Sequence, residues 1–333
     1  MAFNGGGRYS IGGARWDGGE KVLDDQGVLV TGAGGFIGRV LTQRLSNHPA
    51  FARRPLALAD IDLSHAPAQA RRIEGDLAQS LDEALTPLPG LVIHLASVPS
   101  AASERSSELS RAVNLETSLA LFDRLAKAER PIRVVYASSI AALGSVFPAA
   151  VDDDLPPRPT LTYGAHKLMA ETALADWSRR GRLDGIALRL PGIVARPRQA
   201  GGFGSAFWSE VFHAFVSGEP YAAPVGPDAT SWLMSVGACV GNLLHAAAVP
   251  PSSLGPIRAF TLPALHVRIG DLLGEIAART GARRDLVSYA PQPDIQAQFG
   301  RYPPLSTPGA DALGFRHDQD LAGLVGRVLD DMR

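Results

Sequence analysis

The sequence predicts an α/β fold, a doubly wound parallel sheet with a smaller, interleaved α+β domain in its C-terminal part. Three observations carry this expectation. Short apolar runs at 28–30, 56–60, 91–97, 132–137 and 185–190 alternate with helix-length segments, the pattern that builds parallel sheets. A glycine run, Thr31-Gly32-Ala33-Gly34-Gly35-Phe36-Ile37-Gly38, turns the first strand directly into an apolar-periodic helix at 36–45. Beyond Pro191 the alternation breaks, and residues 197–235 become rich in Gly, Pro and aromatics. The expected division is a disordered, glycine-rich extension at 1–26, a dinucleotide-binding (Rossmann) domain at 27–190, and a mainly substrate-binding or lid domain at 191–333.

Bulk properties narrow the function classes. The formal net charge is −1, so no overall field favours nucleic acid or an anionic membrane. Cys239 is the single cysteine and the eight histidines are scattered, so neither a disulfide framework nor a metal site is expected. No apolar run approaches the roughly 20 residues of a spanning helix. A soluble, cytoplasmic protein is the expectation.

Taken in order, the glycines come first. Gly32 suits a tight turn, Gly34 and Gly35 let backbone approach a pyrophosphate, and Gly38 lets the helix pack close on the sheet. The helix N-terminus offers free N–H groups to the phosphates. The second strand, 56–60, ends in Asp60, 22 residues beyond Gly38, where an acid bonds the adenosine ribose and repels the extra phosphate of NADP. NAD is therefore expected, and Asp62 is read as a solvated loop acid. After a third strand at 71–74, Asp76 caps the next helix or faces the adenine, with Leu77 opening that helix. His94, inside an apolar strand, reads as a packed core histidine. An amphipathic helix is expected over 106–129 and ends before Pro131. The strand at 132–137 delivers Ser138 and Ser139, and a proline-rich acidic loop leads to a helix over 161–180. In the last third, helices are expected at 236–248 and 269–280, with a strand at 258–262 and a final helix after Phe315.

Tyr163 and Lys167 are spaced i,i+4, on one helix face. A tyrosine with an ordinary pKa near 10 is a poor base at neutral pH, whereas a neighbouring lysine cation stabilises its phenolate. Lys167 also suits a bond to the nicotinamide ribose. Ser139, from the adjacent strand end, is placed to hydrogen-bond a substrate oxygen. The set reads as hydride-transfer machinery with Tyr163 as general base.

From 27 to 333 the chain resembles the extended short-chain dehydrogenase/reductase family. The matching pieces are TGAGGFIG (31–38), Asp60, GDL (75–77), HLAS (94–97), Asn114 within VNLETS, ASSIAALG (137–144), YGAHK (163–167) and LRLPGIVARP (188–197). The resemblance implies Ser139, Tyr163 and Lys167 as a catalytic triad. It implies an NAD site from the glycine loop, Asp60, Asp76, Leu77, Leu95, Ala96, Ser97, Asn114, Tyr163, Lys167, Pro191 and Ile193. It also implies a homodimer through the helices at 106–129 and 161–180. Two departures bear on substrate. Ser139-Ile140-Ala141 lacks the acids of the nucleotide-sugar dehydratases, and Gly192 stands where the nucleotide-sugar epimerases place an Asn. VDDDLPPRPTLTYGAHK, SRRGRLDGIALRLP and SWLMS (231–235) resemble the group of that family that oxidises C2 of D-erythronate with NAD; the segment 199–211 is less like it. Ser97, Ser139, Arg196, Ser205 and Trp232 are the candidates to hold a small sugar-acid substrate. A sugar or nucleotide-sugar epimerase or reductase, and a catalytically silent NAD sensor, are the competing readings.

Overall fold

The first strand, Val-Leu-Val-Thr over 28–31, is buried at every residue, so both of its faces are covered. The computed structural model describes residues 26–198 and 204–333. The expected extension at 1–26, apart from Gln26, and residues 199–203 of the segment that departs from the resemblance lie outside the described residues. In chain order, β1 (Val28–Thr31), α1 (Phe36–Asn47), β2 (Leu56–Asp60), β3 (Arg71–Glu74), α2 (Leu77–Ala84) and β4 (Leu91–His94) form the first half of the large sheet with its covering helices. Strand β4 stops at His94; Leu95 N still donates to Thr31 O (3.0 Å), and Ala96 and Ser97 lead on into the loop. Next come α3 (Ser100–Arg105), α4 (Ser107–Ser110) and α5 (Thr117–Leu125), with a π-helical turn over Arg111–Glu116 between the last two. The single helix expected at 106–129 is therefore corrected. The wide turn carries Asn114 inward, and α5 ends at Leu125.

Strand β5 (Ile132–Ser139), α6 (Thr162–Arg179) and β6 (Leu183–Leu190) complete this half. The remaining elements are β7 (Gly192–Val194), α7 (Phe207–Ser217), β8 (Tyr221–Ala223), β9 (Thr230–Ser235), α8 (Val236–Ala248), α9 (Pro251–Leu254), β10 (Ala259–Thr261), β11 (Leu265–Arg268), α10 (Ile269–Thr280), β12 (Val287–Tyr289), α11 (Pro293–Phe299), α12 (Pro308–Ala312) and α13 (Leu321–Asp331).

The seven-stranded sheet runs β10-β6-β5-β4-β1-β2-β3, and every pairing in it is parallel. Strand order reverses between β1 and β4, so the crevice at their C-terminal ends is where such a sheet takes a ligand. Alternation along each strand decides the faces. Val28 and Val30 pack with Leu41 and Leu45 of α1 and Val240 and Leu243 of α8, while Leu29 packs with Leu121, Phe122 and Leu174 on the other side. Strand β10 and helix α8 thus belong to the large sheet although they follow residue 190. The chain leaves the sheet after β6 and returns to it at 236–261, so the smaller part is interleaved with the large sheet. A second sheet, β11-β9-β7, and the pair β12-β8 lie in the smaller part. Its core gathers Phe207, Trp208, Phe212 and Phe215 from α7 against Leu272 and Ile276 of α10 and Leu324 and Val328 of α13.

Two predictions follow from the packing. A Cβ on Gly38 would lie 2.2 Å from the Gly32 carbonyl oxygen and 2.7 Å from the Ala33 Cα, both backbone. Gly38→Ala is expected to lower stability by about 1–3 kcal/mol in urea unfolding. Gly241→Ala, in exposed α8 backbone with open space around the new methyl, should raise it by about 0.4–1 kcal/mol; equal effects of the two would refute the close-approach account. His94 is fully buried, bonded through Nδ1 to Thr31 Oγ1 (2.6 Å) and through Nε2 to Ser118 Oγ (2.9 Å). Burial, and then the charge of Lys167, holds it down at about 3 rather than 6.5. The unfolded chain takes up that proton first, so stability is intact above about pH 6.5 and is lost as pH falls, by about 1.4 kcal/mol per unit towards pH 3. Denaturation across this range should show a shallower slope for His94→Asn than for the wild type, and equal slopes would remove His94 as the cause.

Candidate functional site

At the end of β1, Gly32 takes φ +71°, and a Cβ there would meet the backbone of Leu95 and Ala96 at 2.5–2.6 Å. The glycine loop is thereby pressed against the end of β4. Helix α1 begins at Phe36 with no side-chain cap and no acid in its first turn, which leaves its N–H groups free for an anion. Asp60, at the end of β2, accepts from Gly34 N (2.8 Å) through Oδ2 and from Ile61 N (2.7 Å) through Oδ1. The carboxylate therefore fixes the loop as well as standing at the position expected for the ribose. A glycine loop, an uncapped helix and an acid at the strand end fit an NAD pyrophosphate and ribose. Asp76 caps α2 by accepting from Ala78 N (2.9 Å), and the Leu77 side chain is buried beneath that helix. Arg39 escaped the sequence reading, which looked for a basic residue only after Asp60. Its Nε donates to Gly34 O (2.6 Å), and its guanidinium meets Asp62 at 3.4 Å. The signal was the position directly after Gly38.

The crevice holds a cavity of about 320 Å³. Gly32, Gly35, Phe36, Ile37, Gly38, Leu95 and Ser97 line it from the ends of β1 and β4, Ser139, Tyr163 and Lys167 from β5 and α6, and Pro191, Ile193, Arg196 and Ser205 from the chain after β6. The expected residues Ser97, Ser139, Tyr163 and Lys167 are thus brought together from three separate segments. Ser139, the last residue of β5, caps the turn Ile140–Leu143 by accepting from Ala141 N (3.1 Å). Tyr163 lies in the first turn of α6. Its hydroxyl faces Ser97, Ser139 and Arg196; burial pushes its pKa up, and hydrogen bonds from the two serines and the Arg196 charge oppose that rise.

Lys167 is 1% exposed, donates to Ala137 O (2.8 Å), and sits over the rings of Tyr136 (4.9 Å) and Tyr163 (5.6 Å). Burial pushes it down to about 7, and Glu171 opposes this. Lys167 thus stands close to Tyr163 on the same face of α6, as the i,i+4 spacing leads one to expect. Arg196 is a second cation whose charge acts on the Tyr163 hydroxyl. The i,i+4 spacing gives a shared helix face but says nothing of a residue arriving from a distant loop.

Arg196 is held along its whole length. Its N donates to Ser209 Oγ (3.0 Å), its carbonyl is bonded to His213 Nε2 (2.7 Å), and Nη2 donates to Ser205 O (3.3 Å) and Oγ (3.1 Å). Burial depresses its pKa, with Tyr163 opposing; a guanidinium keeps its charge through such a shift. Helix α7 and the turn before it therefore aim one cation into the cavity.

Two expected contacts are corrected. Asn114 is fully buried, accepts from Val98 N (2.8 Å) and Ser97 Oγ (3.0 Å), and donates to Val98 O, Ser103 Oγ and Ser110 Oγ. Its amide is spent on the loop that carries Ser97, so it positions that loop rather than touching a cofactor. Trp232 is fully buried, donates Nε1 to Pro303 O (2.6 Å), and packs on Phe147 and Tyr302. It supports the wall while its neighbour Ser231 lines the cavity. Gln298, Phe299 and Tyr302 also line it; they arrive from α11 and the strand-like segment after it, which no local pattern marked. Among the described residues no cluster of His, Cys, Asp and Glu could hold a metal ion, and no helix is long and apolar enough to cross a membrane.

Comparison with known proteins agrees with this geometry. Residues 28–232 match the family model described as NAD dependent epimerase/dehydratase. The chain is 32% identical over 318 residues to a D-erythronate dehydrogenase of Cupriavidus necator, covering 91% of this chain and 98% of that one. It is 27% identical over 310 residues to a D-erythronate dehydrogenase of Haemophilus influenzae, with the same coverage of each chain. Among solved structures, the nucleoside-diphosphate-sugar epimerase from Agrobacterium tumefaciens superposes with a TM-score of 0.84 at 28% identity, over 96% of this chain and 98% of that one. The chain belongs to the NAD-dependent epimerase/dehydratase family: it is an enzyme, and NAD is its cofactor.

Proposed function

We propose that this enzyme oxidises the C2 hydroxyl of a small sugar acid, D-erythronate to the 2-oxo-tetronate, with Ser139, Tyr163 and Lys167 as the reacting set. The observation that carries the reading is Arg196: one anchored guanidinium faces the Tyr163 hydroxyl inside a cavity of about 320 Å³. Arg196 and Ser205 line the same cavity as Ser139 and Tyr163, which supports a substrate with a carboxylate beside its carbinol, as in a 2-hydroxy acid. The 32% identity to a D-erythronate dehydrogenase over nearly the full length supports the same substrate class.

NAD, when bound, supplies the hydride acceptor. Ser139 holds the substrate hydroxyl, and Tyr163 takes its proton. Because burial raises the tyrosine, the phenolate needs positive charge near it, which Arg196 supplies at the hydroxyl and Lys167 beneath the ring. Pro191 and Ile193 wall the site where Gly192 replaces the Asn of the sugar-nucleotide enzymes. The functional division is a cofactor-binding part around β1 to β6 and a substrate-holding part built by α7, β9 and α11. Exposed Leu109 and Met169, near the faces of α4 and α6, support a homodimer through these helices.

The decisive assay follows NADH absorbance with D-erythronate, other tetronates and pentonates, and UDP-glucose. NADH formation with a tetronate supports the proposal; a folded, NAD-binding protein silent with every sugar acid overturns it, and turnover of the sugar nucleotide without net NADH makes it an epimerase. Tyr163→Phe should lower kcat by about 10²–10⁴-fold while NAD still quenches protein fluorescence. Arg196→Met should lower kcat/KM for D-erythronate by about 10–100-fold more than for erythritol, which lacks the carboxylate and loses only the charge acting on Tyr163. Equal losses on both substrates would take Arg196 out of carboxylate recognition.

A further inference from the structure

Glu171 stands one helical turn after Lys167 in α6 and is 3% exposed. Its carboxylate accepts from Arg189 through Nη2 (2.8 Å) and Nε (3.1 and 3.2 Å), and from the hydroxyl of Ser138. Ser138 adjoins Ser139 at the end of β5, and Arg189 lies two residues before Pro191 at the end of β6. One buried carboxylate therefore joins the three elements whose ends form the middle of the site.

Lys167 needs an anion and has none at ion-pair distance among the described residues. The groups around it can be taken element by element. Tyr163 and Glu171 share its helix. Tyr136 comes from β5, and His94 from β4 is neutral and bonded to Thr31 and Ser118. Arg189 from β6 is bound to Glu171. Arg196 lies beyond, at the Tyr163 hydroxyl. Glu104 of α3 and Arg111 and Glu116 of the π turn act on His166, and Arg124 of α5 pairs with Asp82. Glu171 is the carboxylate that opposes the effect of burial on Lys167.

We propose that Glu171 is a positioning residue for the reaction, tying β5, α6 and β6 together and supplying the counter-charge for Lys167, with Arg189 moderating that charge. The inference rests on the reading of Lys167 as the cation beneath Tyr163. A buried carboxylate shared by two cations pulls on each less than on one alone. Loss of Glu171 therefore discharges Lys167 more readily, and loss of Arg189 makes its proton harder to remove.

The test reads Lys167 itself and needs no substrate. Trace acetylation with acetic anhydride across pH, quantified on the peptide bearing Lys167, gives the midpoint of its titration; Lys21 and Lys127 are the other lysines and serve as internal references. Glu171→Gln should move the Lys167 midpoint down by about 1 pH unit, and Arg189→Met should move it up. No displacement, or displacement of both in one direction, overturns the proposal. If Glu171→Gln fails to fold, the Glu171→Gln/Arg189→Met pair leaves no unpaired arginine behind. Its midpoint below that of Arg189→Met supports the role of Glu171, and an unchanged midpoint overturns it. Silence with D-erythronate would count against the substrate reading and leave this result standing.

Discussion

Helix α6 approaches the turn after β5 so closely that the site depends on one contact. A Cβ on Gly164 would sit 2.1 Å from the carbonyl oxygen of Ala141. Only glycine allows this approach, and the approach sets Tyr163 and Lys167, on either side of Gly164 along α6, against Ser139 at the strand end. Held a side chain's width further away, the same residues would share a crevice without facing one another. The parallel sheet supplies the second half of the constraint, since its order reversal between β1 and β4 opens the crevice at this same edge.

Closeness brings an electrostatic difficulty. The cavity is lined largely by backbone, serine hydroxyls and apolar side chains, so every charge in it has lost much of its water. Burial pushes Tyr163 up and Lys167 down, each towards its neutral form and away from the state a general base needs. The molecule opposes this from both sides. Arg196 and two hydroxyls favour the phenolate, and Glu171, held by Arg189 and Ser138, favours the ammonium.

The two parts of the chain meet in this balance. The large sheet carries the cofactor crevice and the residues at its strand ends. The cation that faces Tyr163 comes from the loop after β7 and is clamped by Ser205, Ser209 and His213 around α7. In the proposed reaction substrate recognition and activation of the base share one residue, which is reason to expect that α7 and its neighbouring loop distinguish this enzyme from relatives that keep the same glycine loop.

Much of this was legible in the sequence. The glycine run with Asp60 at the second strand end marked the dinucleotide crevice, because close backbone approach and a strand-end acid leave a local signature. The strands at 56–60 and 71–74 and the helices at 236–248 and 269–280 have the bounds expected from apolar periodicity. Local pattern also put Ser139 at a strand end and Tyr163 with Lys167 on one helix face. Only the tertiary structure decided which way side chains turn and what they meet. It turned Asn114 inward through a π turn, sealed Trp232 behind the wall, returned 236–261 to the large sheet, and brought Arg196 to Tyr163 as a second cation besides Lys167. Spacing along the chain reports a residue's neighbours on its own helix or strand, whereas the balance of charge in a dry cavity is set by groups from elements far apart in sequence.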